Sequence, residues 1–153
     1  MKFPDYQVIF EGDYGSFRDV YVMNASLNDW QKLVDFLRAG LYRTEFFFGD
    51  QKQEKLPERA IDLFNDSERT SCLIKVHIGD LALHCHCFSK DEIEFDLVPE
   101  KVTNQAIANS VFLFMEKLSK YLGMPVRLTP ENSRDIILVE YNSDGVISAV
   151  WNA

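Results

Sequence analysis

Apolar and polar positions alternate most regularly between residues 71 and 97, SCLIKVHIGDLALHCHCFSKDEIEFDL. Residues 72–78 and 81–88 form two runs of period two around Gly79-Asp80. Glycine at the first position of a two-residue loop predicts a type II′ hairpin. Such a loop pairs Ile78 with Leu81, Val76 with Leu83, Ile74 with Cys85 and Cys72 with Cys87 on one apolar face. Successive side chains point to opposite sides, so the other face pairs His77 with Ala82, Lys75 with His84 and Leu73 with His86. A third run, 92–97, follows Ser89-Lys90-Asp91. Read as a three-residue loop, this connection sets Cys87 against Ile93, His86 against Glu94, Cys85 against Phe95 and His84 against Asp96. The polar side of the meander then gathers His77, His84, His86, Glu92, Glu94 and Asp96.

Two segments carry the helical period instead. Leu27, Trp30, Leu33, Val34 and Leu37 make one stripe, with Ser26 placed to cap the amide of Asp29 and Gly40 as a left-handed terminator. Phe36 and Leu41 are expected to make the apolar contact that accompanies a glycine cap. The longer helix, about 104–122, presents Ile107, Val111, Phe114, Met115, Leu118 and Leu122, with Thr103 as its N-cap and Gly123 as its stop.

Elsewhere residues 6–11 and 17–23 read as a hairpin around the glycine-rich turn 12–16, and 43–48 as a strand rich in phenylalanine. The stretch 51–57 reads as a polar loop and 57–64 as a short helix after Pro57. Residues 126–129 form a short strand, and 135–141 with 146–151 a terminal hairpin around Ser143-Asp144-Gly145. The resulting order, ββαβ(α)βββαβββ, predicts a single α+β domain over 1–153: an antiparallel or mixed sheet covered by two main helices.

At 153 residues, with 46% hydrophobic and 13% aromatic side chains, the chain can bury a core without disulfides or metal. Its net charge of -8 argues against sequence-independent binding to nucleic acid, which needs clustered lysine and arginine. It suits a basic protein partner. No apolar run approaches a membrane span and MKFPDYQ lacks signal-peptide character, so a cytoplasmic protein is expected. The three cysteines fall on the core face. They are expected as reduced, buried thiols, although Cys72 and Cys87 lie near enough to bridge on oxidation.

Two functions compete for the polar face. His84 and His86 at i and i+2, His77 across the hairpin, and Glu94 or Asp96 compose a nitrogen and oxygen set of the kind zinc accepts, which would suit a metal-binding protein or a metal-dependent hydrolase. The competing view is a solvated sheet face, since no tight ligand motif is present. Strand geometry sends the thiols of Cys85 and Cys87 away from the imidazoles of His84 and His86, which argues against a joint cysteine and histidine site. No phosphate cradle or nucleophile elbow occurs.

The preferred expectation is therefore a non-enzymatic domain of inhibitor, immunity-protein, adaptor or chaperone type. Its carboxylates Glu92, Glu94 and Asp96 would attract a basic partner and exposed aromatics would anchor it. Tyr14 and Phe17 are the candidate anchors, with one of Phe46 to Phe48 and Trp151 as further exposed aromatics. Association of copies through sheet edges is a third possibility.

Overall fold

The computed structural model describes residues 3–11, 17–64 and 71–149, the stretch 146–149 as backbone alone. The chain forms α1 (Tyr6–Phe10), β1 (Arg18–Val22), α2 (Leu27–Arg38), β2 (Arg43–Phe48) and β3 (Gln51–Gln53). It continues through β4 (Cys72–Ile78), β5 (Leu81–Ser89), β6 (Glu92–Leu97), α3 (Gln105–Leu122), β7 (Val126–Pro130), β8 (Val139–Asn142) and β9 (Gly145–Ala149). Short 3-10 turns at Ala60–Leu63 and Pro99–Lys101 complete it. The nine strands of the described residues join one antiparallel sheet in the order β3-β2-β4-β5-β6-β1-β7-β8-β9, an α+β fold.

The central meander forms as its alternation dictates. The six β4 and β5 pairs from Leu73↔His86 to Ile78↔Leu81 follow the register that Gly79-Asp80 imposes, with Gly79 at φ 61. Between β5 and β6 the pairs His84↔Asp96, Cys85↔Phe95 and His86↔Glu94 hold as expected. The loop does not. Ser89 pairs with Glu92 and a bulge between His86 and Ser89 absorbs the extra residue, so the Cys87 and Ile93 pairing is absent. A bulge leaves one residue unpaired and sharpens the local twist.

Both main helices start as their side chains allow. Ser26 and Asp29 form a reciprocal capping box on α2, satisfying two amides that lack helical partners. Asn104, rather than Thr103, caps α3 by accepting from the Ile107 amide at 3.0 Å, and Gly123 ends it in the left-handed region at φ 69. Leu41 is exposed instead of packing on Phe36, whose ring meets Tyr42 at 6.3 Å.

The N-terminal strand expected over 6–11 is a helix. Asp5 caps it by accepting from the Gln7 amide, and the fully buried Arg18 donates to the terminal carbonyls of Ile9 at 2.9 Å and Phe10 at 3.2 Å. Those carbonyls would otherwise be buried without partners. Gln105 of α3 fastens the other end, accepting from the Tyr6 amide and donating to the Pro4 carbonyl. These distant hydrogen bonds outweigh the strand-like alternation of YQVIF. The expected partner turn, 12–16, lies outside the described residues.

Further corrections are smaller. Residues 51–53, expected as loop, form the edge strand β3, and the helix expected over 57–64 is a single turn. The strand expected over 135–141 begins only at Val139, because Ile136 donates to the Ser133 carbonyl in a turn and leaves its own side chain exposed.

The helices lie on one side of the sheet. Phe114 of α3 meets Phe36 of α2 at 6.2 Å and Phe95 of β6 at 5.5 Å, joining both helices to the sheet at one ring. Each fully buried ring of this kind contributes about 2 to 3 kcal/mol. Ile74, Val76, Leu83, Cys85, Ile93 and Val20 supply the sheet side of this core. The reduced-thiol expectation holds for Cys85 alone: Cys72 and Cys87 are joined as a disulfide, with Cα atoms 5.4 Å apart.

Candidate functional site

The register places the remaining polar side chains in rows across the outer face. One row runs Phe47, Leu73, His86, Glu94, Tyr21 and Arg127, and the next runs Glu45, Lys75, His84, Asp96 and Asp19. His77 sits one step along β4, opposite Arg43. The segment 51–64 does not cover this face. It turns back to α2, where Gln31 donates to the Glu58 carbonyl and accepts from the Ala60 amide.

The three histidines separate into two places. His77 Nε2 lies 2.6 Å from Glu45 Oε1, and Lys52 adds a 3.1 Å contact to the same carboxylate. These two hydrogen bonds hold the Glu45 carboxyl down to about 2. His86 Nε2 lies 2.7 Å from Asp96 Oδ2, while His84 Nδ1 is 3.9 Å from Asp96 Oδ1. The hydrogen bond to Asp96 raises the His86 pKa, whereas partial burial lowers that of His84. Neighbouring imidazoles on one carboxylate thus differ in charge tendency. His77 therefore does not join His84, His86, Glu94 and Asp96 in one set. Among the described residues no three histidine, cysteine or carboxylate groups converge as metal ligands would.

The carboxylates are engaged to different degrees. Arg134 binds Glu92 through two hydrogen bonds, at 2.6 and 2.8 Å, and its guanidinium lies 4.9 Å from the centre of the Tyr21 ring. This pairing raises the Arg134 pKa further. The Tyr21 hydroxyl donates to Asp19 at 2.9 Å and lies 3.4 Å from Glu94. Asp19 also accepts from the Asn132 amide at 2.7 Å, yet burial outweighs these bonds and raises its pKa. Burial and then the Asp19 charge raise Glu94 as well. Among the described residues Glu94 holds no short ion pair; its hydrogen-bonding neighbour is the Tyr21 hydroxyl at 3.4 Å.

Phe88 is the functional candidate that the sequence pattern had hidden. It is 71% exposed, the most exposed large apolar side chain among the described residues, and its ring stacks on His86 at 4.9 Å with an interplanar angle of 2°. Its signal was available: the alternation that sends His84 and His86 outward sends Phe88 outward too. Of the aromatics expected as anchors, Phe17 is 39% exposed but precedes Arg18, at the opposite end of β6 from Phe88. Phe47 is the outward member of its trio and lies beneath Lys75 Nζ at 5.1 Å. Tyr14 and Trp151 fall outside the described residues.

No described helix is long and apolar enough to cross a membrane. Comparison with family models, with curated proteins and with solved structures finds no match to this chain, so its geometry alone carries the functional argument.

Proposed function

We propose that this protein is a non-enzymatic binding domain whose outer sheet face takes a basic segment of a partner protein, in the manner of an inhibitor, immunity protein, adaptor or chaperone. The observation that carries this reading is Phe88. An exposed aromatic ring already held against a neighbour loses little freedom on binding, which is the property of an interface anchor. His86 provides that support and Asp96 in turn fixes His86. Glu94 lies opposite His86 on the same face, next to Asp19, and a guanidinium or ammonium group approaching Phe88 would meet this carboxylate. A cation over an aromatic ring beside a carboxylate gains from both.

The Cys72 and Cys87 bond favours an oxidising setting, because reducing compartments keep such pairs as thiols, and so weighs against the cytoplasmic location expected from the sequence.

Binding of an oligo-arginine peptide, followed by calorimetry at physiological salt, tests the reading. Phe88→Ala is expected to weaken binding about tenfold and Glu94→Lys at least as much. If both variants bind as the parent protein does, the face is not the site.

A further inference from the structure

A second region of the molecule has the opposite charge and a different construction. After pairing with Phe46–Phe48 of β2, β3 ends at Gln53 and the chain swings away towards α2, where Leu56 is buried in the core. Residues 43–45 of β2 consequently have no β3 partner, and a cleft of about 490 Å³ opens where the two segments diverge. That volume lies within the range of small-molecule sites, about 300 to 1,000 Å³.

The floor of the cleft is apolar: Leu37, Phe46 and Leu56 reach it from the core, beside the half-buried ring of Tyr42. Its rim is cationic. Arg38, Arg43, Lys52 and Lys55 line it against Glu45 and Glu54. In a chain of net charge -8 this is a local reversal of sign. Glu45 is already held by Lys52 and His77, and so neutralises Arg43 only loosely, at 3.9 Å. Arg38 has a 3.6 Å contact with Glu58, whose side chain is 71% exposed. Lys55 makes no hydrogen bond or ion pair among the described residues. Lys52 is thus held by Glu45 at 3.1 Å, whereas Arg38, Arg43 and Lys55 gather around the apolar floor with only loose pairing, an arrangement that favours entry of an anion.

We propose that this cleft is a binding site for a small organic anion, a carboxylate or phosphate carried on a flat apolar body. The acidic head would lie among Arg43, Lys52 and Lys55, and the body would cover Leu37, Phe46 and Leu56. The guanidinium groups of Arg38 and Arg43 present paired donors that match either head group. The site is independent of the Phe88 face, because it lies at the other edge of the meander and on residues that face does not use.

Titration of the intact protein with naphthoate and with naphthyl phosphate, followed by calorimetry and by amide chemical shifts, tests the proposal and separates the two head groups. The expected result is one saturable site for at least one of them, with shifts confined to residues 37–46 and 52–56. Arg43→Gln combined with Lys55→Gln, both exposed, should weaken binding about tenfold, and Arg43→Lys with Lys55→Arg should restore much of it. Equal binding of inorganic phosphate would deny the apolar floor a role, and equal binding of neutral naphthalenemethanol would deny the cations one. Either result overturns the proposal. So does absence of saturation, or tighter binding of an oligo-glutamate peptide along 43–45, which would make the open strand edge a peptide groove.

Discussion

The outer face of this sheet is one surface with two halves. Over β4, β5 and β6 its polar side chains are half-buried and reach solvent, whereas over β1 the strand is buried on both sides from Arg18 to Val22. The difference is the connection 131–138 between β7 and β8. It crosses the face at β1, where the Asn132 amide donates to Asp19 and Arg134 covers Tyr21. Beneath that cover the Asp19 carboxylate accepts from both the Tyr21 hydroxyl and the Asn132 amide. The polar groups beyond it, from Glu94 to His84, have partners on the same face but still reach solvent. Similar residue types thus serve structure on one half and, in the proposed function, recognition on the other, and coverage by a single loop separates them.

This contrast sets the sizes of the expected effects. Under the cover, Asp19→Ala would leave the Tyr21 hydroxyl and the Asn132 amide without their acceptor, costing about 2 kcal/mol in chemical denaturation. His84→Ala on the open half should change stability by no more than about 0.5 kcal/mol. A reversal of that order would break the distinction. Arg134→Ala removes both the pairing with Glu92 and the contact over Tyr21, and should cost about 1 kcal/mol. It should also speed hydrogen exchange at Asp19 and Tyr21, which a merely superficial arginine would not do.

The smallest effect is electrostatic and confined to the open half. The folded state raises the His86 pKa and lowers that of His84, against an ordinary value of about 6.5. Stabilisation from protonated His86 is therefore complete below about pH 6.5 and disappears as pH rises through its raised folded value. His84 acts in the other direction, costing stability as pH falls below about 6.5, so the two oppose each other. Proton resonance of each imidazole resolves them: His86 should titrate at higher pH than His84, and Asp96→Asn should bring His86 down. Unchanged titration of His86 in that variant would remove Asp96 as the cause.

Most of the open half was legible in the sequence. Gly79-Asp80 determined the β4 and β5 register, and alternation correctly sorted His77, His84, His86, Glu92, Glu94 and Asp96 outward. The covered half was not, because its structure depends on contacts between residues far apart in the chain. Asp19 and Asn132 are 113 positions apart, and nothing local to either announces their hydrogen bond. The N-terminal helix failed for the same reason, since Arg18 and Gln105 select it over a strand that YQVIF would also allow. The separation of His77 from the other histidines came from Glu45 on a neighbouring strand whose position sequence alone did not supply. Phe88 shares the outward parity of His84 and His86, but alternation alone does not reveal that its ring stacks on His86 instead of being covered.

The most direct test of the proposed recognition half is a map of amide chemical shifts in the isotope-labelled protein as an oligo-arginine peptide is added. The account predicts shifts concentrated over residues 84–96, absent from Asp19 beneath the 131–138 loop, and largely lost in Phe88→Ala. Shifts spread evenly over the acidic surface and indifferent to Phe88 would contradict it.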